Sequence, residues 1–94
     1  MNVLVIDDGE TLRGYDCREV LRVDEPAGGG ELPFIVHFGR AGSTWELCCR
    51  NVLGFYPLSA ADIRPLPLVL KERLTQGEGP WAVGITPGGL CLLY

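Results

Sequence analysis

Few residues in this chain can do chemistry. There is one histidine, His37, four cysteines at positions 17, 48, 49 and 91, and an acidic pair, Asp7-Asp8. A cysteine becomes a nucleophile when an oriented base lies within hydrogen-bond reach. Cys48 and His37 are the one such pair that the spacing brings to a common hairpin face. Zinc sites favour paired ligands such as C-x₂-C, whereas here two cysteines are adjacent and two are isolated, so neither a metal nor another cofactor is expected. No G-x-S-x-G, H-E-x-x-H or nucleotide-binding P-loop pattern occurs. Gly28-Gly29-Gly30 lacks the lysine and helix that follow a phosphate loop, and Asp24, Glu25 and Glu31 would repel an anion. It reads as a loop.

Val3-Leu4-Val5-Ile6-Asp7-Asp8-Gly9-Glu10-Thr11-Leu12-Arg13 resembles the opening of a response-regulator receiver domain. In that family an acidic pair at the end of the first strand binds Mg²⁺, and the resemblance would make Asp7 and Asp8 ligands. Receivers also need a phospho-acceptor aspartate after a later strand and a helix after the first. No such strand–aspartate motif follows, and Gly14 and Pro26 interrupt the expected helix and second strand. Asp-Gly after an apolar strand is itself a hairpin signal, because both residues tolerate positive φ.

The elements that position these groups are mostly strands. Val3 to Ile6 is a continuous apolar, largely β-branched run, which suits a strand buried on both faces. Asp8-Gly9 turns it into a returning strand at 10–15. Residues 15–23 fit strand or helix, with strand preferred from Val20 to Val23. Phe34 to Phe38 and Ser43 to Cys49 form a hairpin about Gly39–Gly42, with Phe34, Val36, Phe38, Trp45 and Leu47 on its core side. His37 and Glu46 then share the opposite face. Residues 51–58 read as a connection broken by Gly54.

Ser59 is an N-cap with Asp62 three residues on, opening a short helical turn at about 60–64 that Pro65 and Pro67 stop. A main helix is expected at about 67–76, with Leu66, Val69, Leu70 and Leu74 as its apolar side and Gly77 as its cap. Trp81–Thr86 and Leu90–Tyr94 make the last hairpin around Pro87-Gly88. The expected fold is α+β: one antiparallel sheet of about five to six strands built from hairpins, with the main helix and the short turn packed on one face. The chain, residues 1–94, is read as a single domain.

A hydrophobic content of 47 % with a net charge of −4 excludes a disordered chain. The eight basic residues are scattered and the pI is about 4.8, which argues against nucleic-acid binding. No apolar run reaches the ~18 residues of a membrane span, and the first residues lack the basic and apolar regions of an export signal. A cytoplasmic location with reduced thiols is expected. Aromatic residues exceed what one small core needs: Tyr15, Phe55, Tyr56, Trp81 and Tyr94. Aromatic residues are enriched at interface hot spots.

The function expected is a small non-enzymatic protein-binding module: an adaptor, an inhibitor or an immunity-like factor. It would act through an acidic and aromatic surface that includes Asp7, Asp8, Tyr56 and Trp81, with a basic protein as partner. The apolar last strand, at a sheet edge, would also allow a homodimer. The alternative is a small-ligand-binding domain or minor enzyme using Cys48 and His37.

Overall fold

The structure is a computed structural model describing residues 1–25, 30–67 and 79–94. Nine strands run through the described residues: β1 (Asn2–Asp7), β2 (Leu12–Asp16), β3 (Val20–Asp24), β4 (Phe34–Arg40), β5 (Ser43–Cys49), β6 (Asn51–Pro57), β7 (Ile63–Pro65), β8 (Ala82–Thr86) and β9 (Gly89–Leu93). They form a six-stranded sheet in the order β6-β1-β2-β9-β8-β7 and a three-stranded sheet in the order β3-β4-β5.

Strand β1 is the spine of the molecule. All four residues of its apolar run are fully buried, as a strand covered on both faces requires. Because alternate side chains point to opposite faces, Val3 and Val5 enter one core while Leu4 and Ile6 enter another. The first core also gathers Leu58, Ala82, Cys91 and Leu93, with Tyr56 from β6 and Ile63 from β7 against it. Residues near both edges of the six-stranded sheet thus meet, so the sheet curls around this inner core. The second core lies between the sheets and unites Leu4, Ile6 and Tyr15 with Val36, Phe38 and Cys49.

All three hairpins form in the expected places. Their turns differ in detail. Asp8-Gly9 opens a four-residue turn, since the last β1–β2 pair is Asp7 with Leu12. The Asp8 carboxylate holds that turn, accepting the N–H groups of Glu10 (2.8 Å) and Thr11 (2.7 Å). In the β4–β5 turn Ala41 (φ 47°) and Gly42 (φ 83°) both take positive φ, as a two-residue turn matched to strand twist demands. Strand β3 occupies the segment where strand was preferred, preceded by a 3-10 turn at Cys17–Glu19.

Several expectations are corrected. The α+β class gives way to a fold that is nearly all β, with the helical residues among those described confined to two three-residue 3-10 turns. The main helix expected at about 67–76 falls, apart from Pro67, outside the described residues. The short turn is present at Ala60–Asp62, where the Ser59 N–H (2.9 Å) and hydroxyl (3.0 Å) both donate to the Asp62 carboxylate. One antiparallel sheet is replaced by two sheets, and β2 pairs with β9 in parallel. The physical reason is that β1 needs cover on both faces, which a single flat sheet with one packed face does not supply.

Residues 51–57, read as a connection, are strand β6, which pairs antiparallel with β1 across a register shift at Val5/Ile6. The last strand is not an edge. Strand β9 lies between β2 and β8, so its backbone is not free to pair with a second copy.

Candidate functional site

The face of the six-stranded sheet that carries Leu4 and Ile6 also carries Tyr15 and Arg13, their cross-strand partners on β2. The three-stranded sheet packs on that face and brings Phe38 against Tyr15, with ring centroids 4.6 Å apart. From this contact a row of rings extends in both directions. Trp45, opposite Phe38 on β5, stacks on it at 5.5 Å. Tyr94 stacks on the other side of Tyr15 at 5.5 Å, held by its backbone N–H donating to the Gly14 carbonyl (3.0 Å). Each such pair adds about 0.5–1.5 kcal/mol beyond the area it buries.

Arginines close both ends of the row. The Arg13 guanidinium lies 4.6 Å from the Tyr94 centroid, and its Nε donates to Asp8 (2.6 Å) while Nη1 donates to the Tyr15 hydroxyl (3.3 Å). Burial opposes the charge on Arg13, but the hydrogen bonds it donates to Tyr15 and Asp8 hold its pKa above the ordinary arginine value. Burial pushes the Tyr15 phenol up, against the pull of Arg13, so it stays protonated at neutral pH. At the other end Arg40 sits 6.0 Å from the Trp45 centroid and donates through Nε to Glu19 (2.6 Å).

Between these arginines runs an open groove of about 770 Å³, lined among others by Tyr15, Trp45, Leu47, Trp81 and Tyr94. Trp81 stands on its rim, 53 % exposed, and its backbone N–H donates to the Leu93 carbonyl (2.8 Å). The groove offers ring faces and guanidinium edges. Ring faces and guanidinium groups are suited to contact rather than to nucleophilic attack.

Of the four residues expected to bind, the structure brings Trp81 to the groove and Asp8 to its Arg13 end. Asp8 is chiefly a turn former. Burial raises its pKa, but the Thr11 and Glu10 N–H groups and Arg13 outweigh that and hold the carboxyl below the usual range. Asp7 caps the same turn, accepting the Gly9 N–H at 2.8 Å. Tyr56 lies on β6 against the inner core, on the far face of the sheet, because its partner there is Val3. Tyr15 is buried in the core between the sheets and Tyr94 packs against it, contrary to the count of surplus aromatics. That count missed Trp45, whose place on the core side of its hairpin hid an exposure of 37 %. Arg13 gave no signal in the sequence.

The Cys48–His37 pair does not form. The two ring nitrogens of His37 face carboxylates instead, Nε2 toward Asp24 at 2.7 Å and Nδ1 toward Glu46 at 3.4 Å. Cys48 is paired with Ile35, two residues along the sheet, and is exposed. Among the described residues no hydrogen bond joins it to His37. Cys49 and Cys91 are buried, and burial pushes both thiols up, away from the reactive thiolate. All four cysteines are free. Among the described residues no cluster of histidine, cysteine and carboxylate side chains is fit to hold a metal, and no helix is long and apolar enough to cross a membrane.

No family model and no curated protein sequence matches this chain. The fold has a counterpart in a solved structure, that of the scaffolding protein TtCheW from Thermoanaerobacter tengcongensis. The two superpose with a TM-score of 0.73 over 98 % of this chain and 86 % of that one. At 15 % identity the likeness is one of fold: this chain is built as that scaffolding protein is built.

Proposed function

We propose that this chain is a non-enzymatic adaptor that binds another protein through the aromatic groove between its two sheets. The observation that carries the reading is the unbroken row Trp45–Phe38–Tyr15–Tyr94, which begins in the core and surfaces at both ends beside arginines. Rigid aromatics and arginine are the side chains most enriched at interface hot spots. A ring anchored in a core presents its area at little entropic cost, which favours binding. The shared fold with a protein described as a scaffold points the same way.

The alternative, a catalytic Cys48–His37 pair, has no geometric support, since both nitrogens of the imidazole face carboxylates. The expected acidic docking surface gains little, because the carboxylates nearest the groove, Glu19 and Asp8, are paired with the arginines that border it. The test is capture of a protein partner by the intact chain, followed by Trp45→Ser and Trp81→Ser. Both variants are expected to fold and to lose the partner. A partner held equally well by both would overturn the reading.

A further inference from the structure

The three-stranded sheet covers only part of the sheet face it packs on. Among the described residues, the same face of β8 and β9 joins neither core. Register places Val83 opposite Leu92 and Ile85 opposite Leu90, and Leu92 beside Arg13 of β2. Side chains two apart on a strand share a face, so Trp81 and Tyr94 extend these two rows. The result is a strip two strands wide, all apolar, that runs continuously into the groove. Leu90 is 66 %, Trp81 53 % and Ile85 39 % accessible, while Val83 and Leu92 between them are half-buried. Contiguous apolar surface of this kind marks an interaction site rather than the scatter normal on a soluble protein.

The charge around the strip differs from that of the molecule. The chain carries a net −4, yet β7, β8 and β9 contain no aspartate or glutamate. Arg64, opposite Val83, borders one side of the strip, and Arg13, beside Leu92, borders the other. Among the described residues no ion pair engages Arg64, although the Asp62 carboxylate lies near enough to feel its charge, while Arg13 is paired with Asp8. A second copy of this chain is a poor occupant: it would set arginine rims against each other and bring two acidic molecules together. An acidic segment is a good one, because complementary charge steers encounter and fixes register.

We infer that the β8–β9 strip is a docking surface for an acidic amphipathic segment of another protein, whose apolar side chains seat on Val83, Ile85, Leu90 and Leu92 and whose carboxylates meet Arg64. The inference rests on the adaptor reading and names the chemistry of its partner.

The experiment titrates the intact protein with three synthetic peptides of equal length, alternating leucine with glutamate, leucine with lysine, and serine with glutamate. Tryptophan fluorescence and calorimetry report binding, since Trp81 borders the strip. The leucine–glutamate peptide is expected to bind at least about tenfold more tightly than the other two, and Leu90→Ser and Arg64→Glu each to weaken it by about tenfold or more, a difference of about 1.4 kcal/mol. Both positions are exposed, so melting temperature is expected to stay unchanged and separates lost binding from lost fold. Equal binding of the lysine peptide, or no effect of either variant, overturns the inference. So does a micromolar dimer, seen by sedimentation, that Leu90→Ser dissolves. If the peptide fails while a captured partner still depends on Trp45, this inference falls and the adaptor reading stands. If the peptide binds the strip but no captured partner depends on Trp45 or Trp81, the groove reading falls instead.

Discussion

The two cores flanking β1 are built on different principles. The inner core is aliphatic and packed to the limit. A Cβ added at Gly14 would lie 2.8 Å from Leu93 Cδ2, and one at Gly84 would lie 3.1 Å from Cys91, Leu58 and Leu93 alike. The neighbours it would meet are themselves buried. The core between the sheets is aromatic and runs out to the surface. On the outer face of the three-stranded sheet, away from both cores, a Cβ at Gly39 would meet Leu21 at 3.1 Å, but Leu21 is 61 % exposed and can move aside. The lesson is a division of labour. Close packing on one face of β1 fixes the curl of the sheet, and the other face is left to present rings.

That contrast can be broken in several ways. The largest effect is expected from deleting Leu92–Tyr94, which removes Leu93 from the inner core and Tyr94 from the aromatic row. Loss of the cooperative thermal transition is the expected result, and an unchanged melting temperature would show that β9 is dispensable. Phe38→Ala comes next. It empties the centre of the row and should cost about 3–5 kcal/mol in denaturant unfolding. Gly14→Ala and Gly84→Ala should each cost about 1–3 kcal/mol by overpacking, whereas Gly39→Ala should stay within about 0.5 kcal/mol. Similar costs at all three glycines would erase the distinction between the close-packed inner core and the open outer face of the three-stranded sheet.

A smaller effect is expected at the acidic end of the row. The Asp8 carboxyl titrates below its ordinary value in the folded protein because Thr11, Glu10 and Arg13 together outweigh its burial. A depressed folded pKa means stability that is fully present above the unfolded value of about 3.9 and is lost as pH falls through the folded value. Asp8→Asn should therefore flatten the loss of stability below about pH 4. An acid unfolding curve parallel to that of the wild type would remove Asp8 from the account.

Much of the antiparallel framework is legible in the sequence. The run Val3–Ile6 states its own double burial, because no polar position interrupts it. Alternation in Phe34–Phe38 names the buried side of β4, and that side faces the core as expected. Strand β6 was hidden for a physical reason. It carries a bulge, with Leu53 left out of the register and Gly54 at φ 131°, and a bulge destroys the period of two that reveals a strand. The homodimer expectation rested on an edge position that the parallel β2–β9 pairing removes, and parallel pairs have no local turn to announce them.

The sequence by itself determined the local events: where the chain turns, and which strands are apolar on one side or both. Each of these is set by residues within a few positions of one another. The tertiary structure alone decided that the strands divide into two sheets, that β9 is interior, and that Tyr15, Trp45, Trp81 and Tyr94 meet in one groove. Those outcomes depend on how distant strands share the two faces of β1, and cross-strand register over such separations leaves no period in the chain to read.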